Sequence, residues 1–93
     1  MLSVSYLPVF VRQLKKLEQS LKEEVLEKIE LFKNSKNHNI LKVHKLRGAL
    51  KGRYSFSVNY RYRIVFVYID KKKTSVALLA FGDHNVYSPA KNF

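Results

Sequence analysis

Apolar positions recur along this chain at two different periods. Leu2 to Tyr6 alternates apolar and polar residues, the two-residue rhythm of a short strand. Pro8 then fits the first turn of a helix, where its missing N–H costs nothing. Phe10, Leu14, Leu17, Leu21, Val25, Ile29 and Phe32 follow at spacings of three and four, a helical stripe. The run to about Lys33 is long for one helix, so two are expected, broken near Glu18 to Ser20. Ser20 would cap the second and Glu23 complete a capping box. Asn34 to Asn39 is a polar connector. Beyond it the rhythm returns to two, with Tyr54, Phe56, Val58 and Tyr60 alternating with Ser55, Ser57, Asn59 and Arg61. Arg63 to Ile69 is nearly all apolar, as a central strand should be. Asp70 to Lys73 is a charged hairpin turn, and Thr74 to Phe81 returns to Gly82. The order of strand, two helices and three antiparallel strands predicts an α+β fold.

Ninety-three residues without repeat or linker read as a single domain, 1–93, and the ordinary apolar content argues against disorder. Cysteine is absent, which excludes disulfides and thiolate metal sites. No apolar run approaches the roughly 20 residues that span a bilayer. With no signal-peptide pattern, a cytoplasmic protein with no membrane contact is expected. Charge changes the picture more. The net charge is +11, and it is segregated: Glu18, Glu23, Glu24, Glu27 and Glu30 hold five of the seven acids. Leu31 to Ile69 has none, against nine Lys and Arg. Such a field attracts polyanions, nucleic acid foremost, or else an acidic protein partner.

Two segments carry candidate chemistry. His44-Lys45-Leu46-Arg47-Gly48, continued by Lys51-Gly52-Arg53, crowds cations onto a glycine-punctuated loop suited to phosphate contact. Gly82-Asp83-His84-Asn85-Val86-Tyr87 places a histidine and a tyrosine just past the last strand. RNA is cleaved without metal when its own 2′-hydroxyl attacks the adjacent phosphorus. That reaction needs a base, an acid and cations on the phosphoryl oxygens, and histidine suits proton transfer near neutral pH. Arg61 and Arg63 require solvent, an anion, or an ion pair with the acidic helix. His38 reads as a solvated connector residue, and Tyr60, Tyr62 and Tyr68 as strand residues packed in the core. There is no phosphate-binding glycine loop, no pair of carboxylates at a strand end and no two-histidine helix spacing. No metal and no small-molecule cofactor are therefore expected.

In chain order, His44-Lys45-Leu46-Arg47-Gly48, Gly52-Arg53-Tyr54-Ser55-Phe56-Ser57-Val58, Tyr62-Arg63-Ile64-Val65-Phe66 and Gly82-Asp83-His84-Asn85-Val86-Tyr87 resemble the successive blocks of the RelE/ParE superfamily. These are toxins of type II toxin–antitoxin systems, and the resemblance spans about Val4 to Ser88. It implies a small antiparallel sheet, here about four strands, with two N-terminal helices on one face. RelE-like and YafQ-like members cleave mRNA in the ribosomal A site, whereas ParE-like members poison DNA gyrase. Arg63 falls on the arginine that stabilises the scissile phosphate. His84 falls where YafQ-like toxins carry a catalytic histidine, Tyr87 on the C-terminal aromatic, and His44 on a YafQ histidine. The RelE lysines of the first hairpin strand align with Ser55 and Ser57, which favours a YafQ-like mechanism. The resemblance thus implies a ribosome-dependent endoribonuclease, an mRNA interferase, with His84, Arg63, Tyr87 and His44 as catalytic candidates. Lys45, Arg47, Lys51, Arg53 and Arg61 are the RNA-binding candidates, and a cognate antitoxin, the ribosome and mRNA the partners. The alternatives are a gyrase-directed toxin and a non-toxic RNA-binding relative.

Overall fold

The structure, a computed structural model, describes residues 1–83 and 86. Strand β1 (Ser3–Tyr6) leads into helices α1 (Pro8–Lys15) and α2 (Gln19–Phe32), and then come β2 (His44–Lys45), β3 (Tyr54–Ser57), β4 (Arg63–Tyr68) and β5 (Ser75–Gly82). They form one five-stranded sheet in the order β1-β5-β4-β3-β2. The α+β expectation holds. The strand count and the all-antiparallel reading do not, because β1 pairs parallel to β5 while the remaining pairs are antiparallel. The physical reason lies in the connection. The two helices cross one face of the sheet and return the chain to its far side, so β1 meets the last strand of the chain rather than the next. Strand β2 is only two residues long, too short to show a period.

Pro8 opens α1 as expected, and its final turn tightens through Lys16 N–H to Gln13 O and Leu17 N–H to Leu14 O, both 3.2 Å. Helix α2 starts earlier than the Ser20 cap would allow. Its N-cap is Glu18, in extended conformation, and no side chain caps the backbone there. Ser20 instead donates its hydroxyl to the Glu18 carboxylate, and Glu23 accepts from the Gln19 amide at 2.9 Å. The predicted capping box is thus replaced by side-chain bonds among the same residues. A carboxylate at the N-cap still complements the helix dipole.

Pleating sorts the sheet into two faces. Phe56, Ile64, Phe66 and Leu78 face the helices and form one buried cluster with Phe10, Val25, Ile29 and Phe32. Phe32 stacks on Phe56 with centroids 4.2 Å apart and meets Phe66 edge-on at 4.7 Å. A register shift between Val65 and Phe66 marks a bulge, with Val65 opposite Ala80 and Phe66 opposite Leu78. Three residues beyond Leu78, the Phe81 N–H donates to the Gln13 side chain of α1 at 2.8 Å. The other face carries Ser55, Ser57, Arg63, Val65 and Ala80, and it is the face on which the candidate chemistry gathers.

Two sequence expectations change at the turns. Asn59 ends β3 early: its Oδ1 accepts from the N–H groups of Arg61 (2.9 Å) and Tyr62 (2.8 Å). Tyr60 therefore sits at a turn apex, 92% exposed, not in a strand or the core. The same Asn59 donates to Glu24 at 2.9 Å, so the tie to the acidic helix runs through an amide. Among the described residues, no ion pair joins Arg61 or Arg63 to that helix. His38 is not merely solvated either. Its Nε2 donates to Phe32 O at 2.9 Å, and its ring stacks on Phe32 with centroids 5.0 Å apart.

Candidate active site

His44 lies on the edge strand β2, opposite Ser55 of β3. Lys42 sits just before it in the left-handed region (φ 58°), which aims its carbonyl at the His44 ring, 2.9 Å from Nδ1. A carbonyl only accepts, so Nδ1 carries the proton and donates. In the neutral ring Nε2 then holds the lone pair, the form a general base requires. The loop after β2 closes through Leu46 N–H to Arg53 O at 2.9 Å, with Gly48 (φ 68°) and Gly52 (φ 90°) taking conformations that other residues resist. A cleft of about 730 Å³ results, lined by His44, Lys45, Arg47 and Lys51 among others. Lys45, Arg47 and Lys51 are exposed on this loop, while Arg53 is half-buried with its Nε turned inward.

Arg63 opens β4, opposite Ser57 on one side and Gly82 on the other. Its Nη1 donates to Asn59 O at 2.7 Å and Tyr62 O at 3.1 Å, which fixes the guanidinium at the end of the sheet. These bonds use only Nη1, and among the described residues Nη2 and Nε have no hydrogen-bond partner. Arg63 lines a smaller cleft of about 260 Å³ with Lys28, Lys42 and Tyr60. Lys42 was not singled out in sequence as a site residue, because only its backbone conformation places it between the two clefts. Arg61 is exposed, its guanidinium 5.1 Å from the Tyr62 ring centroid.

His44 and Arg63 share a face but not a cleft. Ser55 and Ser57 separate their rows by two residues along β3, and β2 and β4 lie two strands apart, a spacing of about 12 Å between the Cα atoms. Ser55, at one lysine-aligned position, is fully buried, whereas Ser57 is half-buried. Beyond Gly82 the Val86 N–H donates to Asp83 O at 2.9 Å, and a Cβ on Gly82 would come within 3.1 Å of Val86 Cβ. A side chain there would press on Val86. His84 and Tyr87 lie outside the described residues.

A separate cleft of about 610 Å³ on α2 is lined by Glu18, Glu23, Glu24, Glu27 and Tyr62. Its charge opposes any phosphate. None of the described helices is long and apolar enough to cross a membrane.

No protein-family model matches the sequence, and neither does any curated protein. Solved structures do match in shape. A chain of the RelBE2 toxin–antitoxin complex of Mycobacterium tuberculosis superposes with a TM-score of 0.66 at 24% identity, over 89% of this chain and 98% of the other. A chain of the intact Escherichia coli RelBE complex gives 0.67 at 21% identity, over 89% and 96%. A chain of the YoeB–YefM complex of Staphylococcus aureus gives 0.66 at 20% identity, over 90% and 98%. Two helices laid on one face of a small sheet, with the opposite face bearing the arginine and histidine of the sequence blocks, make this chain a RelE-like domain by fold.

Proposed function

We propose that this protein is the toxin of a type II toxin–antitoxin pair, an endoribonuclease that cleaves mRNA on the ribosome and is silenced by an acidic antitoxin. The observation that carries the reading is the strand register. It sets Arg63 directly across from Gly82, two residues ahead of His84 in the sequence, on the same sheet face as His44. The 2′-hydroxyl oxygen forms a bond to phosphorus as the bond from phosphorus to the 5′ oxygen breaks. A base removes the 2′ proton and an acid returns one to the leaving 5′ oxygen, giving a 2′,3′-cyclic phosphate and a 5′-hydroxyl. His84 and His44 are the proton-transfer residues, and Tyr87 completes the site. Arg63, whose Nη2 and Nε have no partner among the described residues, takes the charge that builds on the phosphoryl oxygens. Lys45, Arg47, Lys51, Arg53 and Arg61 hold flanking phosphates, work that needs charge and no base recognition.

The test is induced expression with primer extension on a reporter mRNA, for the wild type and for Arg63→Ala and His84→Ala. Codon-phased breaks are expected for the wild type, with loss of breaks and of growth arrest in both variants while each stays folded. Intact mRNA with an SOS response would transfer the protein to the gyrase-directed class. Growth without arrest or breaks would make it a non-toxic relative.

A further inference from the structure

A second cationic surface lies at the other end of the sheet. The turn between β4 and β5 carries Lys71, Lys72 and Lys73, all exposed. Its one acid, Asp70, is spent on the turn itself. The carboxylate accepts from Thr74 N–H (2.9 Å), Ser75 N–H (3.0 Å) and the Thr74 hydroxyl. Among the described residues no ion pair reaches any of the three lysines. Lys73 adopts φ 59°, a left-handed conformation that costs a residue with a side chain about 1 kcal/mol. Asparagine or glycine would fill that position at less cost. What lysine gains there is the placement of its ammonium, 5.8 Å from the ring centroid of Tyr54 and 5.4 Å from that of Tyr68.

The two rings meet edge-on at 4.9 Å and are half-buried. Lys45, on the edge strand, is the cross-strand partner of Tyr54 and shares its face. Cations and aromatic rings therefore alternate from the loop of Arg47 and Lys51, through Lys45 and Tyr54, to Tyr68 and the tri-lysine turn. Lys33 stands across a cleft of about 290 Å³ from Lys73, though Glu30 holds its ammonium at 2.7 Å.

We propose that this strip is a track for single-stranded RNA, running on the helix side of the sheet edge from the loop of Arg47 and Lys51 to the turn at Lys71–Lys73. A base stacks on Tyr54 or Tyr68, and Lys73 swings from the rings to the adjacent phosphate. Single strands fit where duplexes do not, because only unpaired bases offer a face to an aromatic ring. An acidic polypeptide would satisfy the lysines but gains nothing from the rings, whose faces are negative. The track rests on the reading of this protein as an RNA-cleaving toxin and adds a binding surface to it.

The experiment measures fluorescence anisotropy of the purified protein with a labelled, uncleavable 2′-O-methyl oligonucleotide over a range of salt. For the combined variant Lys71→Gln, Lys72→Gln and Lys73→Gln, the slope of log affinity against log salt is expected to become shallower by about 2, the counterions of three phosphates on a single strand. Tyr68→Ala is expected to weaken binding about 10-fold with little change in slope, and Tyr68→Phe to keep the wild-type affinity. An unchanged slope and affinity in the lysine variant, with the wild type bound, overturns the track and leaves the RNA-cleaving reading intact. No binding by the wild type likewise overturns the track, while the RNA-cleaving reading is decided separately by the breaks in the reporter mRNA. Polyglutamate that binds the wild type but not the lysine variant, with Tyr68→Ala equal to wild type, assigns the surface to an acidic protein instead.

Discussion

At the end of α2 the Phe32 carbonyl has no following turn to donate to it, and the His38 ring supplies both that hydrogen bond and a stacked partner for the Phe32 ring. A buried-side hydrogen bond and an aromatic contact each contribute about 1 kcal/mol. His38→Ala is therefore expected to destabilise the domain by about 1–2 kcal/mol in denaturant melts, without reducing RNA cleavage per folded molecule. A neutral effect on stability would show that His38 is only a connector residue. That role was invisible in sequence, because a side chain reaching back six residues to a carbonyl leaves no periodic trace. Tyr60 was misread for a related reason. The alternation that holds from Tyr54 to Val58 continues formally to Tyr60, yet the Asn59 side chain ends the strand by capping Arg61 and Tyr62. The place of Arg63 at the head of β4 is legible in sequence, because its neighbours form an apolar strand.

Among the elements, the β4–β5 turn shows how one side chain sets local stability. Its hydrogen bonds from the Thr74 hydroxyl and the backbone of Ser75 and Thr74 hold the Asp70 carboxyl below the ordinary aspartate range. A carboxyl lowered by folding stabilises the folded state above its unfolded pKa of about 3.9, and that contribution is lost as pH falls through the lowered value. The melting temperature of wild type minus that of Asp70→Asn should be positive and flat from pH 7 to about 5, then shrink below about pH 4. A difference that stays constant into acid would remove the carboxylate from the account. The end of β5 makes a different demand, since any side chain at Gly82 presses on Val86. Gly82→Ala is expected to cost about 1 kcal/mol, and Val86→Ala to recover part of it, a coupling read by a double-mutant cycle. If the two effects simply add, the close approach is not tight. Both helices and the three long strands could be read from period alone, whereas β2 and the parallel β1–β5 pairing could not. Two residues carry no period, and parallel or antiparallel pairing is decided by where the helices return the chain.

On the scale of the whole molecule, the acids line one side of α2 while the cations crowd the loop of residues 45–53, the β3–β4 turn and the β4–β5 turn. On the proposed function, an RNA strand would be repelled from the acidic side of α2 and drawn to these cationic loops, which would orient the protein without assembling a site. His44 and Arg63 occupy different clefts, and the smaller of these holds about 260 Å³, too little to enclose a nucleotide's surroundings. The arrangement attracts a flexible strand but does little to align its 2′-hydroxyl with the neighbouring phosphorus, and alignment contributes several kcal/mol to such a reaction. On the proposed function, a ribosome that holds mRNA in a fixed path would supply the missing order, and the exposed lysines and arginines would grip ribosomal RNA phosphates. Cleavage of one message is therefore expected to be at least about 100-fold faster with programmed ribosomes than with naked RNA, the loss that poor positioning alone can cause. Single-turnover rates on the two substrates give the comparison. Equal rates would mean that the sheet face positions its own substrate, and the protein would then be a free ribonuclease whose two clefts close around RNA.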